Sequence, residues 1–244
     1  MAPLLLFENL TLTIHGRVLC RDVSFRVSPN ERVGITGPSG SGKTTLLRGI
    51  GRKELPAGST ADRFDKTDDA IGYVPQEGGL CPWFDMERNV DVARPRQTEP
   101  QAWRARVAEV AASMGLQNQS RRFPHQLSGG EKQRWRLARA VAAMPPFMLV
   151  DEPLTEVPLD LRGRVLERWS AEMAAQGAAL LLVSHDIDVL LYMCDRILVL
   201  QGEPASVRSE EVVDGAHPRS AGTFLTSSAA NDVRSRLLVP GRSA

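Results

Sequence analysis

With 244 residues and 42% apolar content, the chain has room for one large domain, or for a domain carrying a smaller insertion, around a proper core. A formal net charge of +1 gives no electrostatic footing for a nucleic-acid binder or an acidic interaction tail. Cys20, Cys81 and Cys194 lie far apart with no C-x-x-C pair, which argues against zinc and disulfides and fits a reducing, cytosolic setting.

The opening MAPLLLFENL has no basic flank and is cut by Glu8, so it reads as a first strand and not as a signal peptide. Apolar residues then alternate through Phe7, Leu10, Leu12 and Ile14, through Val18 and Leu19, and through Val23, Phe25 and Val27. This predicts antiparallel strands joined by a turn at His15-Gly16. Glu31 to Thr36 reads as a buried strand, a glycine-rich loop follows, and KTTLLRGI opens a helix. Ala70 to Gln76 is a further strand. From Glu77 to about Leu127 no apolar strand occurs, and Trp103, Val107, Val110, Ala111 and Met114 mark a helical face within Glu99 to Leu116. A helical insertion is therefore expected. Beyond it, helices are predicted at Glu131 to Ala143, Leu161 to Ala175 and Ile187 to Met193. They alternate with strands at Phe147 to Val150, Ala179 to Val183 and Arg196 to Leu200. Such alternation predicts an α/β fold with a mostly parallel, covered sheet. The Ser-, Arg- and Ala-rich tail from Glu203 suggests mixed, poorly determined structure. No stretch approaches the ~20 apolar residues of a membrane span, so a membrane role would have to come through a partner.

The loop Gly37-Pro38-Ser39-Gly40-Ser41-Gly42-Lys43-Thr44 matches the P-loop pattern G-x-x-x-x-G-K-[ST] and leads into Thr45. Its glycines let successive amides turn inward around a phosphate, and the following helix adds a partial positive charge at its tip. Lys43 supplies a point charge for the outer phosphates, and Thr44 offers a hydroxyl to Mg²⁺. Nucleotide binding, with Mg²⁺ beside the phosphates, is the expectation. FMLVDEP is an apolar strand ending in two acids; Asp151 is placed to hold Mg²⁺ and Glu152 to polarise a water. His185, at the end of LLLVSHD, can contact a terminal phosphate or the attacking water. Gln76 can hold a water and the shell of the metal. A second glycine pair lies in LSGGEKQR, Leu127 to Arg134, where Ser128 and Glu131 fit a capping box at a helix start. Ser128, Gly129 and Gly130 would thus present amides and a dipole to an anion.

This ordered set resembles the ATP-binding cassette (ABC) ATPases over about residues 5 to 200, with LSGGEKQR its most specific element. The resemblance implies a P-loop NTPase core with an N-terminal antiparallel β subdomain and an inserted helical subdomain. That places the ATPase domain at 1–202, its insertion at about 77–145 and a tail at 203–244. It implies a head-to-tail dimer, expected as a homodimer, in which Ser128, Gly129 and Gly130 close the partner's site. It further implies Glu152 as base, His185 as switch, Gln76 as metal sensor and Asp151 as Mg²⁺ ligand. PQEGGLCPWFDMERNV, Pro75 to Val90, resembles importer subunits for nitrate, sulfonates and taurine. These work at the cytoplasmic face of the membrane with a separate permease and, indirectly, a solute-binding protein, and not with nucleic acid. An exporter or lipid-handling subunit, a weakly hydrolysing nucleotide-gated module, and a soluble ATPase acting on DNA or ribosomes are the alternatives. Two departures stand out: Ile14, with His15 beside it, occupies the place of the family's base-stacking aromatic, and Pro158 replaces an aspartate in an interface loop.

Overall fold

The computed structural model describes residues 2–67, 70–219 and 224–238, and the side chain of Leu238 is excluded. Strands β1 (Leu5–Ile14), β2 (Arg17–Val27) and β4 (Arg63–Lys66) form a three-stranded antiparallel sheet in the order β2-β1-β4. Alternation drives it: Leu5, Phe7, Leu10 and Leu12 point inward from β1, and Cys20, Val23, Phe25 and Val27 from β2. Phe7 stacks on Phe64 at 4.5 Å between ring centroids, which ties β4 to the hairpin.

A second sheet, ordered β5-β6-β7-β3-β8-β9, contains β3 (Arg32–Thr36), β5 (Ile71–Val74), β6 (Phe147–Asp151), β7 (Ala179–Val183), β8 (Arg196–Gln201) and β9 (Ser206–Val212). All its pairings are parallel except β8 with β9. β6 and β7 are buried at every residue, as a sheet covered on both faces requires. Their alternate residues feed two cores. Phe147, Leu149, Leu181 and Val183 meet the antiparallel sheet and helix α1 (Lys43–Arg52). Met148, Val150, Leu180 and Leu182 meet the remaining helices.

Between β5 and β6 run α2 (Met86–Asp91), α3 (Pro100–Ser113), a 3-10 turn (Pro124–Gln126) and α4 (Gly129–Ala143). Pro100 starts α3 at a position where its missing N–H costs nothing. Trp103, 1% exposed, anchors α3 in the core it shares with Trp135 of α4. Helix α5 (Leu159–Gln176) follows Pro158 and stops at the left-handed Gly177, and α6 (Ile187–Met193) starts on the Asp186 cap. The tail from Glu203, expected to hold mixed, poorly determined structure, contains β9 and α7 (Ser228–Leu238), which packs on α6. Its residues 220–223 and 239–244 lie outside the described residues.

Candidate functional site

The parallel sheet sets the site. Gln76, Asp151–Glu152, Ser184–His185 and the Gly37–Thr45 loop follow β5, β6, β7 and β3, which are immediate neighbours. Their carboxyl ends open into one cleft of about 840 Å³. Ser39, Gly40, Gly42, Lys43, Thr44, Thr45, Gln76, Glu152 and His185 line it, while Asp151 is fully buried beneath. Gly42 explains one glycine: it caps α1 at φ 90, and a Cβ there would lie 2.8 Å from Leu12 Cδ2.

Lys43 is 6% exposed. Its Nζ donates to the carbonyls of Gly37 (2.9 Å) and Pro38 (2.7 Å) and to Ser41 Oγ (3.2 Å), so the ammonium is held within its own loop. Burial lowers its pKa, opposed by Glu152 and Asp151. Burial likewise raises the pKa of Asp151, and Thr44, Arg48 and Lys43 oppose that shift. Neither Asp151 carboxylate oxygen reaches hydrogen-bond geometry with a partner. Two orphaned acceptors under a phosphate loop fit a cation. Among the described residues no group of three or more His, Cys, Asp and Glu can hold a metal. An ion here would therefore share its shell with phosphate and water, as Mg²⁺ does.

Glu152 adopts φ 46, rare for a residue with a side chain. Its N–H donates to the Val183 carbonyl (2.9 Å), and its own carbonyl accepts from Gln133 Nε2 (2.5 Å). Its Oε1 accepts the His185 N–H at 3.0 Å and lies 3.7 Å from His185 Nε2. Burial, with Asp151 next to it, raises the Glu152 pKa, which suits a general base. Burial and then Lys43 lower that of His185.

Ser128, Gly129 and Gly130 stand outside this cleft. The capping box forms: Ser128 Oγ accepts the Glu131 N–H (3.2 Å), and Glu131 Oε2 accepts the Ser128 N–H (2.8 Å). Close approach to backbone dictates Gly130, whereas Gly129 faces only the movable end of the Glu156 side chain. A Cβ on Gly130 would lie 2.3 Å from the Glu156 carbonyl oxygen, and one on Gly129 would lie 1.9 Å from Glu156 Oε2. Gln133 completes the contact, accepting the Glu156 N–H on Oε1 at 2.9 Å.

Ile14 and His15 do not line the cleft; Arg17 and Leu19 form that wall. Ile14 pairs with Arg17 across the hairpin, and the His15 turn at φ 50 leaves its ring exposed. Arg17 is ion-paired with Glu203 of the tail. Arg162 and Asp186, also on the cleft wall, carry no local sequence signal, and Gln133, though it lies within LSGGEKQR, takes its place through contacts distant in the chain.

Residues 20–155 match the family described as ABC transporter. The aliphatic sulfonates import ATP-binding protein SsuB 1 of Xanthomonas axonopodis pv. citri (strain 306) is 36% identical over 209 residues, 83% of each chain. The putative 2-aminoethylphosphonate import ATP-binding protein PhnT of Salmonella typhimurium is 31% identical over 232 residues, covering 91% of this chain. The Fe(3+) ions import ATP-binding protein FbpC 2 of Haemophilus influenzae is 32% identical over 214 residues, covering 82% of this chain. The chain spans 63% and 59% of the lengths of these last two relatives. Among solved structures, the dimeric ATP-binding cassette MJ0796 in a post-hydrolysis state with ADP and Pi is similar at TM-score 0.74 and 28% identity, over 87% of this chain and 100% of that one.

Proposed function

The chain belongs to the ABC transporter family of ATPases, and we propose from that premise that it powers import of a small sulfonate-, nitrate- or taurine-like solute through a separate membrane permease. The relative named for aliphatic sulfonates supports this class, because the match covers 83% of both chains. The proposed assembly is a homodimer seated on the cytoplasmic face of the permease, with a solute-binding protein delivering cargo. No helix among the described residues is long and apolar enough to cross a membrane.

One observation carries the mechanism: Lys43, Gln76, Glu152 and His185 share a cleft that Ser128–Gly130 do not enter. The α4 tip, with its dipole and the Gly129 and Gly130 amides, serves in this reading a phosphate held by another copy. Within one chain, Gly37–Thr45 wrap the phosphates of ATP and Lys43 exchanges its loop carbonyls for the outer phosphate oxygens. Thr44, Asp151 and Gln76 would hold Mg²⁺, which when bound neutralises charge on the transferring group. Glu152 takes a proton from the attacking water, and His185 orients that water and the terminal phosphate. Ser128, Gly129 and Gly130 of the second copy close the site.

Glu152→Gln saturated with MgATP is expected to dimerise with turnover reduced about 100-fold or more, as read by sedimentation and phosphate release. A variant that stays monomeric, or one that hydrolyses at the parent rate, overturns the proposal. Stimulation of the reconstituted complex by binding protein loaded with taurine, alkanesulfonate or nitrate identifies the solute.

A further inference from the structure

The cleft wall facing the phosphate loop ends in an ion pair that the mechanism above does not use. Arg162, in the first turn of α5, donates from Nε to the Val157 carbonyl (2.9 Å) and from Nη1 to Asp186 Oδ2 (2.9 Å). Its backbone is fixed by Pro158, whose carbonyl accepts the N–H of Leu161 (3.0 Å) and of Arg162 (3.2 Å). Asp186 uses its other oxygen to cap α6, accepting from Asp188 N–H (3.0 Å) and Val189 N–H (3.3 Å), and its own N–H donates to Ser184 Oγ (3.0 Å). His185 sits between Ser184 and Asp186, its N–H on Glu152 Oε1. The contacts close a ring: Glu152 to His185, on to Asp186, across to Arg162, to Val157, and back along the chain to Glu152. The Arg162 and Asp186 side chains are only 25% and 36% exposed, so this charge-assisted bond is partly sheltered from water.

We propose that Arg162 is a positioning residue for hydrolysis: by pinning Asp186 to the loop Leu154–Val157 it holds His185 and the Glu152 carboxylate in one arrangement. The same loop carries Glu156, whose carbonyl and carboxylate abut the α4 tip. The positioning role of Arg162 rests on the proposed roles of Glu152 and His185.

A double-mutant cycle in full-length protein tests it. Arg162→Ala and Asp186→Asn are each expected to lower kcat by about 10-fold to 100-fold, the range set by misplacing a reacting group by about 1 Å. The double variant should fall no further, because the two side chains act as one unit. The Kd for MgATP, measured in a Glu152→Gln background, should stay within about 2-fold, a split that general destabilisation would not produce. Asn still caps a helix, and Arg162→Lys keeps the charge while losing the Val157 bond, so it should recover part of the rate. These two variants carry the test if Arg162→Ala does not fold. Additive losses, an unchanged kcat, or a loss confined to MgATP affinity overturn the proposal. Turnover retained by Glu152→Gln would instead sink the reading of the site itself. An inactive Glu152→Gln beside a fully active Arg162→Ala sinks only the present inference.

Discussion

Glu152 holds a left-handed backbone at φ 46, a conformation that costs about 1–3 kcal/mol for a residue with a side chain. Two backbone hydrogen bonds, from its N–H to Val183 and to its carbonyl from Gln133, over-determine that strain and aim the carboxylate into the cleft. Burial is the main cause of its raised pKa, Asp151 adds to it, and the His185 N–H and Lys43 oppose it. The base must be unprotonated to accept a proton from water. Turnover should therefore rise with pH through a midpoint above the usual glutamate value of about 4.3. A kcat profile with its acid limb at or below that value would remove Glu152 from the role of base.

At the scale of elements, helix α4 is as much a packing device as a cradle. Its tip lies so close to Glu156 that Gly130→Ala must push the loop 152–158 aside. The expected cost is about 1–3 kcal/mol in urea unfolding, the range for overpacking a close contact, accompanied by loss of turnover. An unchanged unfolding midpoint would mean the contact yields freely. The sequence made this helix legible because its signals are local: the Ser128–Glu131 box forms as expected, and the helix begins two residues earlier than apolar periodicity alone suggested. The P-loop, Asp151–Glu152, Gln76 and His185 were readable for the same reason, each being a short polar end on an apolar strand. Illegible were the elements defined by partners. β4 and β9 alternate polar and half-buried residues, and only their neighbours β1 and β8 make them strands. Register counting put Ile14 at the place of the base-stacking aromatic, but the hairpin presents Arg17 and Leu19 to the cleft instead.

Over the whole molecule, the tail is built into the cassette. Arg219, 5% exposed, donates from Nη1 to the carbonyls of Leu191 (2.8 Å) and Cys194 (2.7 Å), closing the end of α6. Its Nη2 reaches Val213 (2.8 Å) and Gly215 (3.0 Å), and the guanidinium lies 4.6 Å from the Phe224 ring centroid. Arg234 of α7 pairs with Asp188 at the other end of α6 at 2.6 Å. Arg219→Ala would strand several buried carbonyls, for which about 3 kcal/mol or more of destabilisation is expected, measured as a lower urea midpoint. A change in unfolding free energy within about 0.5 kcal/mol, the range for an ordinary surface change, would make the tail a passive appendage. β9 adds a further consequence. Its start is clipped to β2 through Ala205, and beyond that clip it ends the sheet with Arg208, Glu210 and Glu211. A foreign strand seeking to extend the ladder would have to align its backbone beside this charged row. The border of the sheet thus discourages amyloid-like stacking.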